Sequence, residues 1–174
     1  MFSQGEGGPR DKAHARAFYD QACKGGVAEG CFSLGAMLDQ GEGGPQDKAR
    51  ARALYDQACE GGAAKGCSNL GAMFSQGKGG PQNKARARAL YDQACKGGAA
   101  EGCSNLGAML DQGGPRDKAR ARALYDQACK GGLAGGCHNL GIMFDLGEGG
   151  PRDKARARAL YDQACKGGIC RGLQ

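Results

Sequence analysis

The feature that most limits what this chain can fold into is its period. Pro9, Pro45, Pro81, Pro115 and Pro151 lie 36, 36, 34 and 36 residues apart, and Cys23, Cys59, Cys95, Cys129 and Cys165 keep the same intervals. A unit of this length is a single supersecondary element that cannot bury its own apolar face, so copies must stack on their neighbours. The short interval reflects a missing Gly-acid pair: "DQGGPRDK" at 111–118 stands against "DQGEGGPQDK" at 39–48. That deletion falls between periodic segments, where a loop absorbs it.

Residue types within the period select helix. The chain has one valine (Val27), two isoleucines (Ile142 and Ile169) and no threonine or tryptophan. Strands draw on β-branched and aromatic residues, which excludes most β architectures. Alanine, leucine, lysine and arginine fill the periodic segments and favour helix. The 34 glycines gather at the joints, where they act as punctuation. No apolar run approaches the ~20 residues of a membrane span.

One repeat, residues 45–80, shows the pattern. Gly44-Pro45 followed by Asp47 reads as a helix start, with proline pre-set for the first turn and an acid at the positive helix end. A helix A is expected over roughly Asp47–Glu60, with Ala51, Leu54, Tyr55 and Ala58 on one apolar face. Ala49 and Ala53 form a small-residue stripe opposite, which predicts contact from two sides. Gly61-Gly62 then supplies a left-handed cap. A helix B is expected over roughly Ala63–Ser75, with Cys67, Leu70, Gly71 and Phe74 on its apolar face. Gly66 and Gly71 each cost about 1 kcal/mol of helix propensity relative to alanine, so their recurrence points to close backbone approach.

Each full repeat carries two cysteines eight positions apart around Gly-Gly. Within a continuous helix that spacing is ~12 Å of rise, whereas disulfide Cα atoms lie within ~7 Å. The pair closes only if the helix breaks between them, and Gly-Gly provides the break. The expected bonds are Cys23–Cys31, Cys59–Cys67, Cys95–Cys103 and Cys129–Cys137, each closing about nine residues for ~2.5 kcal/mol on the chain-entropy model. A zinc site is the weaker reading, because there is no Cys-x-x-Cys and only two histidines, His14 and His138, at non-equivalent places. A catalytic thiol calls for one distinctive cysteine beside a histidine, and these recur uniformly. Buried reduced thiols are the plain alternative. Disulfides imply an oxidising compartment, secreted or periplasmic. Cys165 and Cys170 have no partner in phase and are left unassigned; an exposed thiol there would promote dimers.

The stretch "YDQACEGGAAKGCSNLGAMFSQGKGGPQNKARA" (55–87) resembles the Sel-one-like repeat, an αα-hairpin relative of the tetratricopeptide repeat. Tyr55, Ala58, Gly62, Ala64, Leu70, Gly71, Met73, Gly77, Gly79 and Pro81 carry the match, which extends over nearly the whole chain. The cysteine pair makes it similar to the cysteine-rich branch typified by the Helicobacter cysteine-rich proteins. That branch includes a mitochondrial intermembrane-space assembly factor, the compartment implied for a eukaryotic source. The fold expected is an all-α, right-handed αα-hairpin solenoid, a tetratricopeptide-like superhelix of disulfide-stapled repeats. The expected division of this single repeat domain is a remnant at 1–8, full repeats at 9–44, 45–80, 81–114 and 115–150, and a truncated repeat at 151–174 lacking its second helix. Met1 aligns with Met73, so it is expected to be an internal methionine of a longer repeat, and Leu173 stands where a cysteine is due.

The resemblance implies an interaction scaffold in secretion, signalling or complex assembly. The cysteine-rich branch is also described as binding or hydrolysing β-lactams, which gives the alternative function. A serine β-lactamase needs a serine with a lysine one turn on, together with further motifs. Ser-x-x-Lys occurs once, at Ser75–Lys78, where another repeat has Asp39 and Glu42; no Ser-Asp-Asn follows, and without threonine Lys-Thr-Gly cannot occur. No catalytic residue, cofactor or metal ligand is assigned.

Two polar rows are candidate surfaces. Lys48, Arg50 and Arg52 recur as Lys84, Arg86 and Arg88, as Lys118, Arg120 and Arg122, and as Lys154, Arg156 and Arg158, and the net charge is +6. One reading is a solvated face partly paired with neighbouring acids, such as Arg52 with Asp56. The functional reading is a groove for an acidic protein or peptide partner, with Arg50, Arg86, Arg120 and Arg156 along one edge of helix A. Nucleic acid is disfavoured, since the basic face lacks aromatics for base stacking. Asn69, Asn105 and Asn139 form a second row on helix B. They are expected either to satisfy loop backbone between repeats or to clamp an extended peptide.

Overall fold

The computed structural model describes residues 9–170, so the expectations for residues 1–8 and for Leu173 lie outside it. The described residues form helices α1 (Pro9–Lys24), α2 (Ala28–Gln40), α3 (Lys48–Glu60), α4 (Ala64–Gln76), α5 (Lys84–Lys96), α6 (Ala100–Asp111), α7 (Pro115–Lys130), α8 (Ala134–Leu146) and α9 (Lys154–Lys166). No strand occurs among them. Odd-numbered helices are the A helices and even-numbered ones the B helices. The chain divides between Ala87 and Arg88 into two compact units. In the first, α1 packs on α2, α2 on α3 and α3 on α4; in the second, α6 packs on α7, α7 on α8 and α8 on α9. Among the described residues no helix is long and apolar enough to cross a membrane.

The proline expectation needs correction. α3 begins at Lys48, three residues after Pro45, and it is Asp47 that starts it: extended at φ −143°, its side chain accepts from the Arg50 N–H at 2.9 Å. Asn83 and Asp153 cap α5 and α9 in the same way, accepting from the Arg86 and Arg156 N–H at 2.9 Å. The Asp47, Asn83 and Asp153 N–H groups meanwhile donate to Leu38, Phe74 and Phe144, tying each cap to the preceding B helix. α1 and α7 do begin at their prolines, Pro9 and Pro115, so the correction applies to α3, α5 and α9. A side chain that satisfies an orphan N–H is a stronger start signal than a pre-set φ.

The turn between helices A and B is a Schellman motif. Val27 N–H donates to Ala22 and Gly26 N–H to Cys23, both at 3.0 Å, and Gly26 has φ +84°. Only the second glycine of the pair is left-handed: Gly61 has φ −76° and Gly62 +92°. The first is required for a different reason, since a Cβ on Gly61 would lie 2.8 Å from Ala28 Cβ of the previous repeat.

The turn brings the cysteines together. Cα–Cα separations are 4.5, 4.6, 4.5 and 4.4 Å for Cys23–Cys31, Cys59–Cys67, Cys95–Cys103 and Cys129–Cys137, all disulfide-bonded. The Cys23–Cys31 staple is itself core: with Ala58 and Ala63 of the next repeat it forms one buried cluster, flanked by Ala28, Phe32 and Leu54. Cys95 and Cys103 pack in the same manner on Ala128, Leu124 and Leu133. Cys165 and Cys170, which the sequence leaves unassigned, are bonded to each other at a Cα–Cα distance of 4.2 Å. The Gly167-Gly168 turn after α9 brings Cys170 back towards the helix end, so a partner in phase is not required.

The apolar face of helix A is as expected, with Ala51, Tyr55 and Ala58 buried. The two-sided contact is not: Ala49 and Ala53 are exposed, as are Ala119 and Ala123. A single wide face of α3 meets both α2 and α4, leaving the small-residue stripe in solvent. The glycines of helix B do mark close approach. A Cβ on Gly66 would stand 2.8 Å from Ala58 Cβ and 3.1 Å from the Cys59 nitrogen, and one on Gly35 would stand 3.0 Å from the Tyr55 ring. This fixes the sign of a substitution. Helix propensity alone would make Gly66→Ala stabilising by about 1 kcal/mol, whereas overpacking costs typically about 1–3 kcal/mol. Urea unfolding should show a net loss for Gly66→Ala, because the obstructing atoms are backbone and a rigid methyl.

Candidate functional site

The polar surface is built by helix A reaching into the joint that follows it. Arg16 donates to the Pro45 carbonyl through both terminal nitrogens at 3.3 Å, Arg52 donates to Pro81 at 3.3 Å, and Arg122 donates to Pro151 at 3.1 Å. Arg52 therefore does not pair with Asp56 as the solvated-face reading expects. Its guanidinium lies 3.6 Å from the Phe74 ring centroid, and Arg122 lies 3.7 Å from that of Phe144. A planar, weakly hydrated cation stacks well on an aromatic face, which favours these contacts over an exposed ion pair.

The four candidate arginines differ from one another. Arg86 lies 4.6 Å from the Phe74 centroid and 3.8 Å from Asp56. Arg156 lies 5.0 Å from the Phe144 centroid. Each phenylalanine thus has two guanidiniums close to its ring. Burial, and then the charge of Arg156, lower the pKa of Arg122, while Asp153 opposes the shift. Arg120 is exposed and 4.0 Å from Asp117, and Arg50 is exposed. All four candidates remain solvent-accessible. Where leucine replaces phenylalanine, at Leu38 and Leu110, no such ring is available, a distinction that could have been read from the sequence.

Within the asparagine row, Asn69 meets a tyrosine of its own hairpin. The Asn69 side chain hydrogen-bonds the Tyr55 hydroxyl. Asn105 and Asn139 are half-buried at equivalent places. Asp39, on the preceding B helix, adds its field to Tyr55, and Asp111 and Asp145 do the same to Tyr125 and Tyr161. Burial foremost, and then Asp111, push the Tyr125 hydroxyl up to about 12. Gln57 Oε1 stands 3.4 Å from Cys23 Sγ, and Gln127 Oε1 stands 3.4 Å from Cys95 Sγ. A disulfide sulfur has no hydrogen to donate, so these are polar packing of an amide on sulfur rather than thiol hydrogen bonds.

The remaining ion pairs divide between i,i+4 pairs at the ends of helices A (Lys24–Asp20, Lys96–Asp92 and Lys130–Asp126) and pairs that involve joint residues. Lys12 Nζ meets Glu42 Oε1 at 3.1 Å, and Lys118 meets Glu148, whose hydrogen bond is the leading cause of the raised Lys118 pKa. The constant Lys-to-Glu separation of thirty residues is the sequence signal for this contact. Ser75 lies in the last turn of α4 and its carbonyl accepts from Gln82 Nε2 at 2.6 Å, so Ser75–Lys78 spans the end of α4 and the start of the joint. Among the described residues no group of three His, Cys, Asp or Glu side chains could hold a metal ion.

The tyrosine environment gives a testable pH dependence. The folded Tyr125 pKa is raised above its unfolded value near 10, so the stability it contributes is fully present below pH 10. That contribution is lost as pH rises towards 12. Tyr125→Phe should flatten the loss of thermal stability between pH 10 and 12, measured by rapid melts. An unaltered slope would contradict the assignment.

The Sel1 repeat pattern matches at residues 1–27, 28–62, 64–98, 100–133 and 134–169. No curated protein matches the chain. Among solved structures, a Sel1 repeat protein from Oxalobacter formigenes is similar at 26% identity with a TM-score of 0.82, over 90% of this chain and 63% of that one. The c5321 protective antigen of uropathogenic Escherichia coli, which displays the same repeat fold, is 28% identical with a TM-score of 0.80, over 90% of this chain and 34% of its own. Immunity protein Pa5087 from Pseudomonas aeruginosa shares the fold at 22% identity and a TM-score of 0.63, over 88% of this chain and 57% of its own. The chain spans less than two thirds of each of these proteins. Five matched repeats, αα-hairpins in each unit and solved relatives of the same architecture place this chain in the Sel1 repeat family.

Proposed function

We propose that the chain is a non-catalytic scaffold that binds an acidic protein or peptide partner along its helix A edges. Sel1 repeats are typical of interaction scaffolds. The observation that carries the reading is the accessible arginine at one helix A position in successive repeats: Arg50, Arg86, Arg120 and Arg156. Each is mounted on a helix whose end is covalently closed, so little ordering entropy is added on binding. Asn69 holds Tyr55 in place, and Asn105 and Asn139 are assigned the same supporting role beside the groove. Five disulfides suit an oxidising environment, and we assign the protein to the periplasm or the extracellular medium.

Within each unit, the two rungs (Arg50 and Arg86, Arg120 and Arg156) are set roughly one ~10 Å helix spacing or more apart, beyond the ~8 Å Debye length of physiological salt. They should therefore contribute nearly additively. A partner captured with the oxidised protein should dissociate progressively as salt rises. Arg86→Ala and Arg120→Ala should each cost about 0.2–1 kcal/mol of binding, the range of exposed pairs. Affinity indifferent both to salt and to combined replacement of the four arginines would reduce the row to a solvated face.

A further inference from the structure

The three full-length joints between repeats share a backbone but not a charge. In the first joint, residues 39–47, Asp39, Glu42 and Asp47 are acidic, and Asp145, Glu148 and Asp153 hold the same places at 145–153. The shortened joint keeps Asp111 and Asp117. At 75–83 those places are Ser75, Lys78 and Asn83. The side chains of "DQGEGGPQD" at 39–47 sum to −3, whereas those of "SQGKGGPQN" at 75–83 sum to +1.

The backbone is unaltered by this reversal. The N–H groups of Glu42, Lys78 and Glu148 donate to Met37, Met73 and Met143 at 2.8, 2.9 and 2.9 Å. Gly41, Gly77 and Gly147 have φ of 72°, 68° and 72°, and Gly43, Gly79 and Gly149 have 69°, 68° and 67°. Lys78 therefore leaves the backbone where Glu42 and Glu148 do. In those joints the carboxylate meets Lys12 and Lys118, and the residue at that register beside Lys78 is Lys48. By register, Lys48 and Lys78 hold the two positions that carry a lysine and a glutamate at 39–47 and 145–153, so the carboxylate there has no counterpart in this joint. Arg52 and Arg86 lie close to the Phe74 ring in the same unit, and Lys84 is exposed in the first turn of α5. The acids nearby are engaged, with Asp47 capping the Arg50 N–H and Asp56 3.8 Å from Arg86.

We propose that the joint at 75–83, with Lys48 and Lys78 as its two donors, is an anchoring site for adjacent carboxylates of a partner polypeptide. It rests on the scaffold reading above and gives that surface one chemically distinct point, which sets where along the repeats an acidic segment is held. A supplied carboxylate takes the position that Glu42 and Glu148 occupy from within the chain.

The test is an NMR titration of the oxidised protein with a hexaglutamate peptide at low salt. Amide shifts should saturate and concentrate on residues 75–84 and on Lys48. Lys78→Glu installs the residue that the first and last joints already carry, so the fold accommodates it, and it should weaken binding about fivefold or more. Glu42→Lys should add a second set of shifts at 39–48. Unchanged affinity in Lys78→Glu, shifts spread evenly over all joints, or no saturable binding would each overturn the proposal. So would inorganic phosphate saturating the site at lower concentration than the peptide, which would make it a small-anion site. Failure of the scaffold reading is separable, since it would appear as salt-indifferent partner binding while this titration stood.

Discussion

The structure depends on the glycine corner that turns helix A into helix B. Gly26, Gly62, Gly98, Gly132 and Gly168 all take positive φ, and the Schellman hydrogen bonds that follow leave the helix ends one disulfide apart. With a left-handed residue closing the helix, the last turn of A and the first turn of B lie near 4.5 Å between cysteine Cα atoms. The staple then doubles as packing, since Cys23 and Cys31 sit against Ala58 and Ala63 of the following repeat. Crosslink and repeat-to-repeat contact are one apolar cluster. In a repeat array, where stability is a sum over units and their neighbour interfaces, such a cluster contributes to both terms. The small side chains Ala58 and Gly66 follow from the same closeness, leaving no room for a methyl between the helices.

A frame this uniform transfers variation to its joints and edges. Phe74 and Phe144 each hold a pair of arginines where Leu38 and Leu110 do not. The joint charge swings from −3 at 39–47 to +1 at 75–83 without a change in its glycine dihedrals. On the proposed scaffold reading, a partner would be selected by charge set on a constant backbone. The disulfides carry this design into an oxidising environment, where a small alanine-rich core would otherwise be marginal.

Much of this was legible in the sequence, and for identifiable reasons. The period, the helix lengths and the cysteine pairing follow from local spacing and from the reach of a disulfide, neither of which needs distant contacts. The missed features depend on neighbours. Pro45 marks the joint and Asp47 the helix start, because capping is decided by a side-chain hydrogen bond. Ala49 and Ala53 are apolar enough to suggest a second contact, yet alanine is equally at home in solvent on a helix. Arg52 ignores the acid one turn away for a ring and a carbonyl in the joint that follows. Asn69 serves Tyr55 across the hairpin, and the Cys165–Cys170 bond depends on how the chain bends after α9.

The most direct test is the stability carried by one staple. Cys59→Ala combined with Cys67→Ala removes a single bond that closes about nine residues, which the chain-entropy argument values at ~2.5 kcal/mol. Equilibrium unfolding of the oxidised proteins should show at least that loss, and hydrogen exchange should show faster opening at the end of α3 and the start of α4. Stability and exchange equal to those of the unaltered protein would contradict the account, because the hairpin would then be held by something other than its staple.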